Sequence, residues 1–445
     1  MTSVKAAEKA PDKDETQEMV LSEGQKDRRV KIFLFSTVLS VFQWVIIIQS
    51  EPTLISELVA DKTRIGDILG NSQGLAGVMS FALYPFMGKL TDAVGRKSGL
   101  LLSPISNAIT GALVTLNPHN LFFVLLNRVM RMFTLSFSNT VMIRSAFSDF
   151  LTGPSLAIAF SKIFSAIGLG TVVAPQIETV ILKSLKSPRY PYALYTFTAL
   201  LQSIYHLTVT PETLAAARRL ALDSCMTLQN INPLKFLKVF TQGSSDLQKM
   251  SIVYGFQMLG EGKNTQDMGW SWMVDSLKWD VPSRNAFISG YGISGIGAGM
   301  FLVPAVIKKV GVEVFTTIAN IAVGLSSCAN SVKSGYSYSF GLLLALPGIN
   351  GVSGTGVSAT ASELAGAEGF GKGEFGGMIA NFRSIAGIVG PVLMGKYITW
   401  LKARGLEHRL GTAFLVYAFF SVVTPQLIHM TIDYERVKAK IAAAK

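Results

Sequence analysis

ILGNSQGLAGVMSFALYPFMG (Ile68–Gly88) runs for 21 residues without an acidic or basic side chain. KLTDAVGRK (Lys89–Lys97) then sets four charges in nine residues, and a second charge-free run, Ser98–Asn127, follows at once. A helix needs about 20 apolar residues to cross the hydrocarbon of a bilayer. The stretch therefore reads as two membrane helices joined by a short charged turn. The same alternation continues outward from it, in Ile32–Ser50, Tyr190–Pro211, Asn285–Ile307, Val314–Val332, Ser334–Ser362 and Leu410–Ile432. Shorter clean stretches at Ile163–Ile177, Met250–Gly260 and Ser384–Gly395 sit in longer apolar runs with one or two embedded charges. Together they predict twelve transmembrane helices, at 31–50, 67–89, 98–117, 120–144, 155–181, 191–209, 249–272, 285–307, 312–332, 336–361, 374–397 and 409–431.

Composition agrees with that reading. Of 445 residues, 49% are hydrophobic and only 15% are charged, against about 25% charged in an average soluble domain. Too few charges are present to coat a soluble enzyme of this length, and a disordered protein or a disulfide scaffold is excluded too. Two distant cysteines, Cys225 and Cys328, offer no disulfide framework. The net charge of +12 fits basic cytoplasmic loops. It does not fit nucleic-acid binding, because the basic residues form no cluster interleaved with aromatics.

The polar segment after Pro211 divides the chain. Residues 1–30 read as a disordered cytoplasmic tail, 31–210 as a six-helix bundle, 211–248 as a cytoplasmic linker, 249–432 as a second six-helix bundle and 433–445 as a cytoplasmic tail. Lys and Arg are commoner in the loops on the side of the termini, which predicts both termini inside. Within the linker, Leu234, Leu237 and Phe240 share one side of a short helix. It reads either as a segment lying on the membrane surface or as an ordinary linker helix. Two landmarks recur at one offset: Pro175 and Pro391, each after a glycine-rich turn (Gly170 and Gly390), and Val94-Gly95 and Val310-Gly311. Both pairs are 216 residues apart, which predicts a duplicated, pseudo-symmetric unit with helix bends at Gly170, Pro175, Gly390 and Pro391. Duplicated bundles with a solute site between them are a common transporter plan.

The loop Gly88-Lys89-Leu90-Thr91-Asp92-Ala93-Val94-Gly95-Arg96-Lys97 closely resembles the signature loop of the major facilitator superfamily, G-x-L-x-D-x-x-G-R-[RK], and it lies between the second and third helices. The resemblance implies an all-α integral membrane fold of two six-helix bundles, and transport of a small solute by alternating access. It implies that Gly88, Asp92, Gly95, Arg96 and Lys97, with Asp149 as a further member, act in gating rather than in binding. Thr210-Pro211-Glu212-Thr213-Leu214 resembles the Pro-Glu-Thr-Leu that ends the sixth helix in tetracycline-efflux-like members, so the drug-efflux-like subgroup is the nearest one. A proton or other ion is a possible co-substrate, the bilayer is the partner, and a monomer is expected. The alternative is a non-transporting receptor or scaffold.

Charges left inside the spans are the candidates for solute or ion contact, since they are costly there. Arg128 and Arg131 lie three apart, on one face of the fourth helix. Arg128 resembles the arginine of the family's fourth-helix motif, although either arginine could instead snorkel to the headgroups. Glu261 and Lys263, with Asp267, interrupt the seventh helix, and Arg383 lies eight residues before Pro391. Gln43 occupies the place of a first-helix acid in the resemblance and cannot titrate. Glu51, Glu178 and Glu261 can titrate, with Glu51 and Glu178 read first as solvated helix-end carboxylates. In the drug/proton antiporter fifth-helix pattern, Gly170 and Pro175 match while Ala174, Glu178 and Thr179 depart from it. Gly290-Tyr-Gly292-Ile-Ser-Gly295 spells a dinucleotide fingerprint but lacks the preceding strand, and Gly295 and Gly299 read as a packing face. Four scattered histidines and the absence of a P-loop leave no catalytic constellation, cofactor or metal site to propose.

Overall fold

The computed structural model describes residues 21–151, 153–216, 219, 221, 232–332, 352–370 and 372–444. Expectations for residues 1–20, for much of the linker and for the start of the tenth span lie outside these residues. Among the described residues there are helices and turns and no strand.

Helix α1 (Glu23–Val45) begins inside the stretch read as a disordered tail, because Ser22 and Gln25 form a capping box at its start. The first span then breaks at Ile46–Gln49 and resumes as α2 (Ser50–Leu58). It is followed by α3 (Ile65–Val94), α4 (Arg96–Leu116), α5 (Leu121–Leu135), α6 (Ile143–Phe150), α7 (Gly153–Leu185) and α8 (Arg189–Thr208). After the linker come α9 (Leu237–Gln242), α10 (Ser245–Met258), α11 (Gly262–Ser271), α12 (Val281–Gly297) and α13 (Val303–Ser331). The chain closes with α14 (Val352–Ala367), α15 (Lys372–Ala403), α16 (Thr412–Ala418), α17 (Thr424–His429) and α18 (Tyr434–Ala443). Each interval expected to span coincides, wholly or in part, with described helix. Seven helical stretches among the described residues are long and apolar enough to cross a membrane, and one of them, Val281–Ser331, joins two expected spans. Several spans carry a π-helical turn, where one helix passes into the next at Ser136–Met142, Ala298–Leu302 and Phe419–Val423 and at the end of the seventh span at Trp272–Ser276, a feature frequent at functional sites.

The duplication shows in the backbone. Gly95 separates α3 from α4 at φ 121°, and Gly311 kinks α13 at φ 80°. Both positions need a conformation that L side chains rarely adopt. The two prolines sit in equivalent seams. Pro175 of α7 faces α12, its carbonyl accepting from Asn285 Nδ2 at 2.9 Å. Pro391 of α15 faces α3 at Gly70. Both helices continue through their prolines.

Hydrocarbon supplies no hydrophobic drive between helices, so membrane helices pack through small residues that admit close backbone approach. Gly66, Gly70, Gly74 and Gly77 of α3 form such a stripe against Gly387, Pro391 and Gly395 of α15. A Cβ on Gly66 would lie 2.6 Å from the Gly395 carbonyl oxygen. The α7–α12 seam is similar, with Gly168 against Gly292 and Ile296. Of the two glycines expected on this face, Gly299 meets Phe164 at ordinary contact distance, whereas the close approach is made by Gly292. Both seams run from mid-span toward the end opposite the linker. Near the linker, the gap between α3 and α15 is filled by Phe236, whose ring packs on Phe81 of α3 and Phe382 of α15.

Gly70→Ala places a methyl against the Pro391 carbonyl and is expected to cost about 1–3 kcal/mol, read as a lower melting temperature in detergent. Gly376→Ala on α15, where the added Cβ meets open space, is expected to leave it unchanged or raise it.

Candidate functional site

The break in the first span positions the first charge. Turning at Ile46–Gln49 lets α2 start anew, and Glu51 in its first turn points into the bundle with no exposed surface. Glu51 is therefore not the solvated helix-end carboxylate expected. Its Oε1 accepts from Arg128 Nη1, and its Oε2 accepts from Arg131 Nη2 at 2.5 Å. Arg128 and Arg131, three apart on α5, are both buried, so neither snorkels to the surface. Arg128 also donates from Nε to the Ser72 hydroxyl at 2.8 Å and from Nη2 to Asp267. Glu51, Ser72 and the arginines belong to the first half of the chain and Asp267 to α11 of the second. The Arg128–Asp267 pair thus bridges the halves. Two cations and two anions balance, which is the condition for burying them at all.

Glu261 forms a second pair at the break between α10 and α11. Arg383 of α15 donates to it through Nε at 2.9 Å and through Nη2. Both side chains keep about a fifth of their surface, so this pair faces a less sealed space than the quartet does. The side chain of Lys263 lies outside the described residues. Gln43 is buried among amides instead of facing the arginines. Its Nε2 donates to Gln202 Oε1 at 2.7 Å and its Oε1 accepts from Asn107 at 3.0 Å. The quartet and the Glu261–Arg383 pair both join the seventh span to other helices, whereas Gln43 ties α1 to α4 and α8 within one half.

The signature loop forms a separate cluster near the linker. Arg96 donates to Asp92 Oδ1 at 2.5 Å and to Asp149 Oδ2 at 3.3 Å, and Lys89 stands 3.9 Å from Asp92. Lys97 donates from Nζ to the Leu207 carbonyl at 2.8 Å. Gly88 has open space around it, whereas a Cβ on Gly95 would overlap the Glu212 carboxylate. The candidate residues overlooked Glu212. Its carboxylate accepts from the backbone N–H groups of Arg96 and Lys97 at 2.9 and 3.1 Å, and again from Thr213 and Leu214. It so satisfies orphan donors at the start of α4 and favours the positive end of the helix dipole. Thr213 donates to Asp149 at 2.7 Å. The Thr210–Leu214 motif was the available signal, since it carries a carboxylate and a hydroxyl where the sixth span returns to the loop.

At the opposite face, Asp280 caps α12 through Ser283. The Ser283 hydroxyl and amide hold its carboxyl below the usual range. Among the described residues no group of three or more His, Cys, Asp or Glu side chains is arranged to hold a metal.

Removing Arg128 leaves two buried carboxylates to one arginine. Arg128→Ala is expected to cost about 3–5 kcal/mol, measured as loss of thermal stability in detergent. Glu212→Ala removes the cap of α4 and is expected to cost about 1 kcal/mol, read as a smaller loss of thermal stability in detergent.

Comparison with known proteins covers most of the chain. The sequence profile of the Major Facilitator Superfamily matches residues 33–391. The Hippocampus abundant transcript 1 proteins of Mus musculus and Homo sapiens are 24% identical over 327 residues, covering 73% of this chain and 64% of theirs. The chain thus matches less than two thirds of the length of these curated relatives. Among solved structures, the human organic anion transporter MFSD10 (TETRAN) is similar at TM-score 0.63 and 16% identity, over 89% of this chain and 99% of that one. The nucleoside transporter NupG is similar at TM-score 0.64 and 16% identity, over 92% and 100%. A D-xylose–proton symporter is similar at TM-score 0.64 and 14% identity, over 90% and 96%. These structures repeat the fold, and the profile covers most of the sequence: the chain belongs to the Major Facilitator Superfamily.

Proposed function

We propose that the protein is a secondary transporter of a small organic solute, working by alternating access between its two halves. The observation that carries this reading is the Arg128–Asp267 pair, which bridges the halves at membrane depth. A buried cross-half ion pair is a discrete contact that must break and re-form when the halves rock. The glycine seams supply the close contact that seals the end opposite the linker. Glu261 and Arg383 remain partly exposed inside their spans, which supports a solute route beside them.

We assign Arg128, Arg131 and Asp267 to coupling between the halves, Glu261 and Arg383 to the solute route, and the Asp92–Arg96–Asp149–Glu212 cluster to gating. Lys263 keeps its place as a solute or ion contact. The abundance of Lys and Arg in the loops beside the linker supports a cytoplasmic linker and cytoplasmic termini. The resemblance at Thr210–Leu214 supports a place beside the drug-efflux-like members, with a proton or other ion as the coupling partner; the monomer stays the expected assembly. Likeness to an organic anion transporter, a nucleoside transporter and a sugar–proton symporter directs the choice of solutes to try.

Purified protein in proteoliposomes, offered organic anions, nucleosides and sugars, is expected to show saturable flux of at least one class. That flux is expected to fall more than about tenfold in Asp267→Asn, the loss of a contact worth about 1.4 kcal/mol or more at the transition state. Absence of flux across the panel, with a stable protein partner co-purifying, would establish a receptor or scaffold instead.

A further inference from the structure

We propose that Glu178 is a proton-binding site, closed inside the protein where the break in the first span meets α7 and α12. The proposal rests on the transport reading for its role, though not for its existence.

Glu178 lies three residues after Pro175 and has no exposed surface. One of its oxygens is fully engaged. Oε1 accepts from the backbone N–H of Gln49 at 3.2 Å, the N–H of Ser50 at 2.9 Å and the Ser50 hydroxyl at 2.7 Å. It thereby caps the restart of the first span. The other oxygen, Oε2, has no partner. No Lys, Arg or His among the described residues stands within ion-pairing distance of the carboxylate.

The surroundings explain what Oε2 lacks. Gln49 is buried, and both atoms of its side-chain amide are unpartnered. Asn285, from α12 in the other half, donates from Nδ2 to the Pro175 carbonyl and the Thr179 hydroxyl while also lying close to the Glu178 carboxylate, and its Oδ1 is unpartnered. Three oxygens (Glu178 Oε2, Gln49 Oε1 and Asn285 Oδ1) and one amide nitrogen, Gln49 Nε2, therefore lack partners around one seam. An ionised carboxylate only accepts, whereas a protonated one donates. A proton on Oε2 removes a buried charge that no side chain pairs with directly and adds a donor to a group in which unpartnered oxygens outnumber donors.

The charged groups around the seam are engaged elsewhere or stand off. Glu51 of α2 is held by Arg128 and Arg131 of α5. Arg284 of α12 acts on Glu178 only at longer range. Asp280 caps α12, and Lys183 lies a turn further along α7. On α8, Tyr192 and Tyr195 are buried and act on Glu51 and Arg131. Opening of the α7–α12 seam brings water to Glu178, which then releases its proton to that face. Resealing requires the proton back. Coupling of this kind ties closure of one face to protonation at one named atom.

The test is infrared titration of the full-length protein in lipid bilayers, following the C=O stretch of protonated carboxyl groups from about pH 5 to about pH 9. The wild type is expected to show a band that disappears as the pH rises, and Glu178→Gln is expected to lack it. Glutamine keeps an acceptor for Gln49 and Ser50, so the cap and the fold survive the substitution. Dicyclohexylcarbodiimide, a hydrophobic reagent for protonated carboxyls, is expected to label the Glu178 peptide with the same pH dependence. Identical spectra for wild type and Glu178→Gln would overturn the proposal. So would loss of the band on adding sodium at constant pH, which would assign the oxygens to a metal cation. A titrating Glu178 in a chain that carries no solute would sink the transport reading and leave the site standing. Solute flux by a chain whose Glu178 shows no protonated band would do the reverse.

Discussion

An ionised side chain in the interior of a membrane protein must find its counter-charge within the protein, because hydrocarbon offers none. The arrangement of the first, fourth and seventh spans follows from that requirement. Glu51 can reach Arg128 and Arg131 only because the first span stops at Val45 and restarts at Ser50. Arg128 in turn reaches Asp267 only because the seventh span is broken at Glu261 and restarts at Gly262. Each break costs helical hydrogen bonds, and each is stabilised by a carboxylate close to it: Glu178 at the first and Glu261, bound to Arg383, at the second.

The seams between the halves are of two kinds. Glycine against backbone, as at Gly66–Gly395 and Gly168–Gly292, gives shape without charge, so contact is lost steeply on small separation. The Arg128–Asp267 pair is longer ranged and more costly to leave unpaired. Together they favour two distinct positions of the halves over a continuum between them. At the linker end, Phe236 fills the gap between α3 and α15, so the linker is a packed part of the bundle there.

Much of this was legible in the sequence. The spans stood out because charge is rare in them, and Arg128 and Arg383 stood out for the same reason. The 216-residue offset carried through to the left-handed glycines and the paired prolines. What escaped depended on local breaks and on partners. Glu51 looked like a helix-end carboxylate because nothing in the residues marks the turn at Ile46–Gln49. Gln43 looked like a vacant proton site because its amide partners, Asn107 and Gln202, are 64 and 159 residues away. The glycine stripe of α3 was readable at intervals of three and four. Missing charge, which marks the spans, says nothing about which face packs. Glu212 was quoted within a motif, but its work is on the backbone of α4, which no side-chain pattern announces.

Duplication has preserved a handedness: Gly95 and Gly311 both turn the chain through conformations reserved for glycine. Their neighbourhoods have diverged. Gly95 lies under the Glu212 carboxylate, while nothing stands within 4 Å of the place a Cβ would take on Gly311. Any side chain at Gly95 meets both strain and collision, and at Gly311 strain alone. The two halves share one corner, and only the first is packed beneath a carboxylate, so a substitution is expected to be better tolerated at the second.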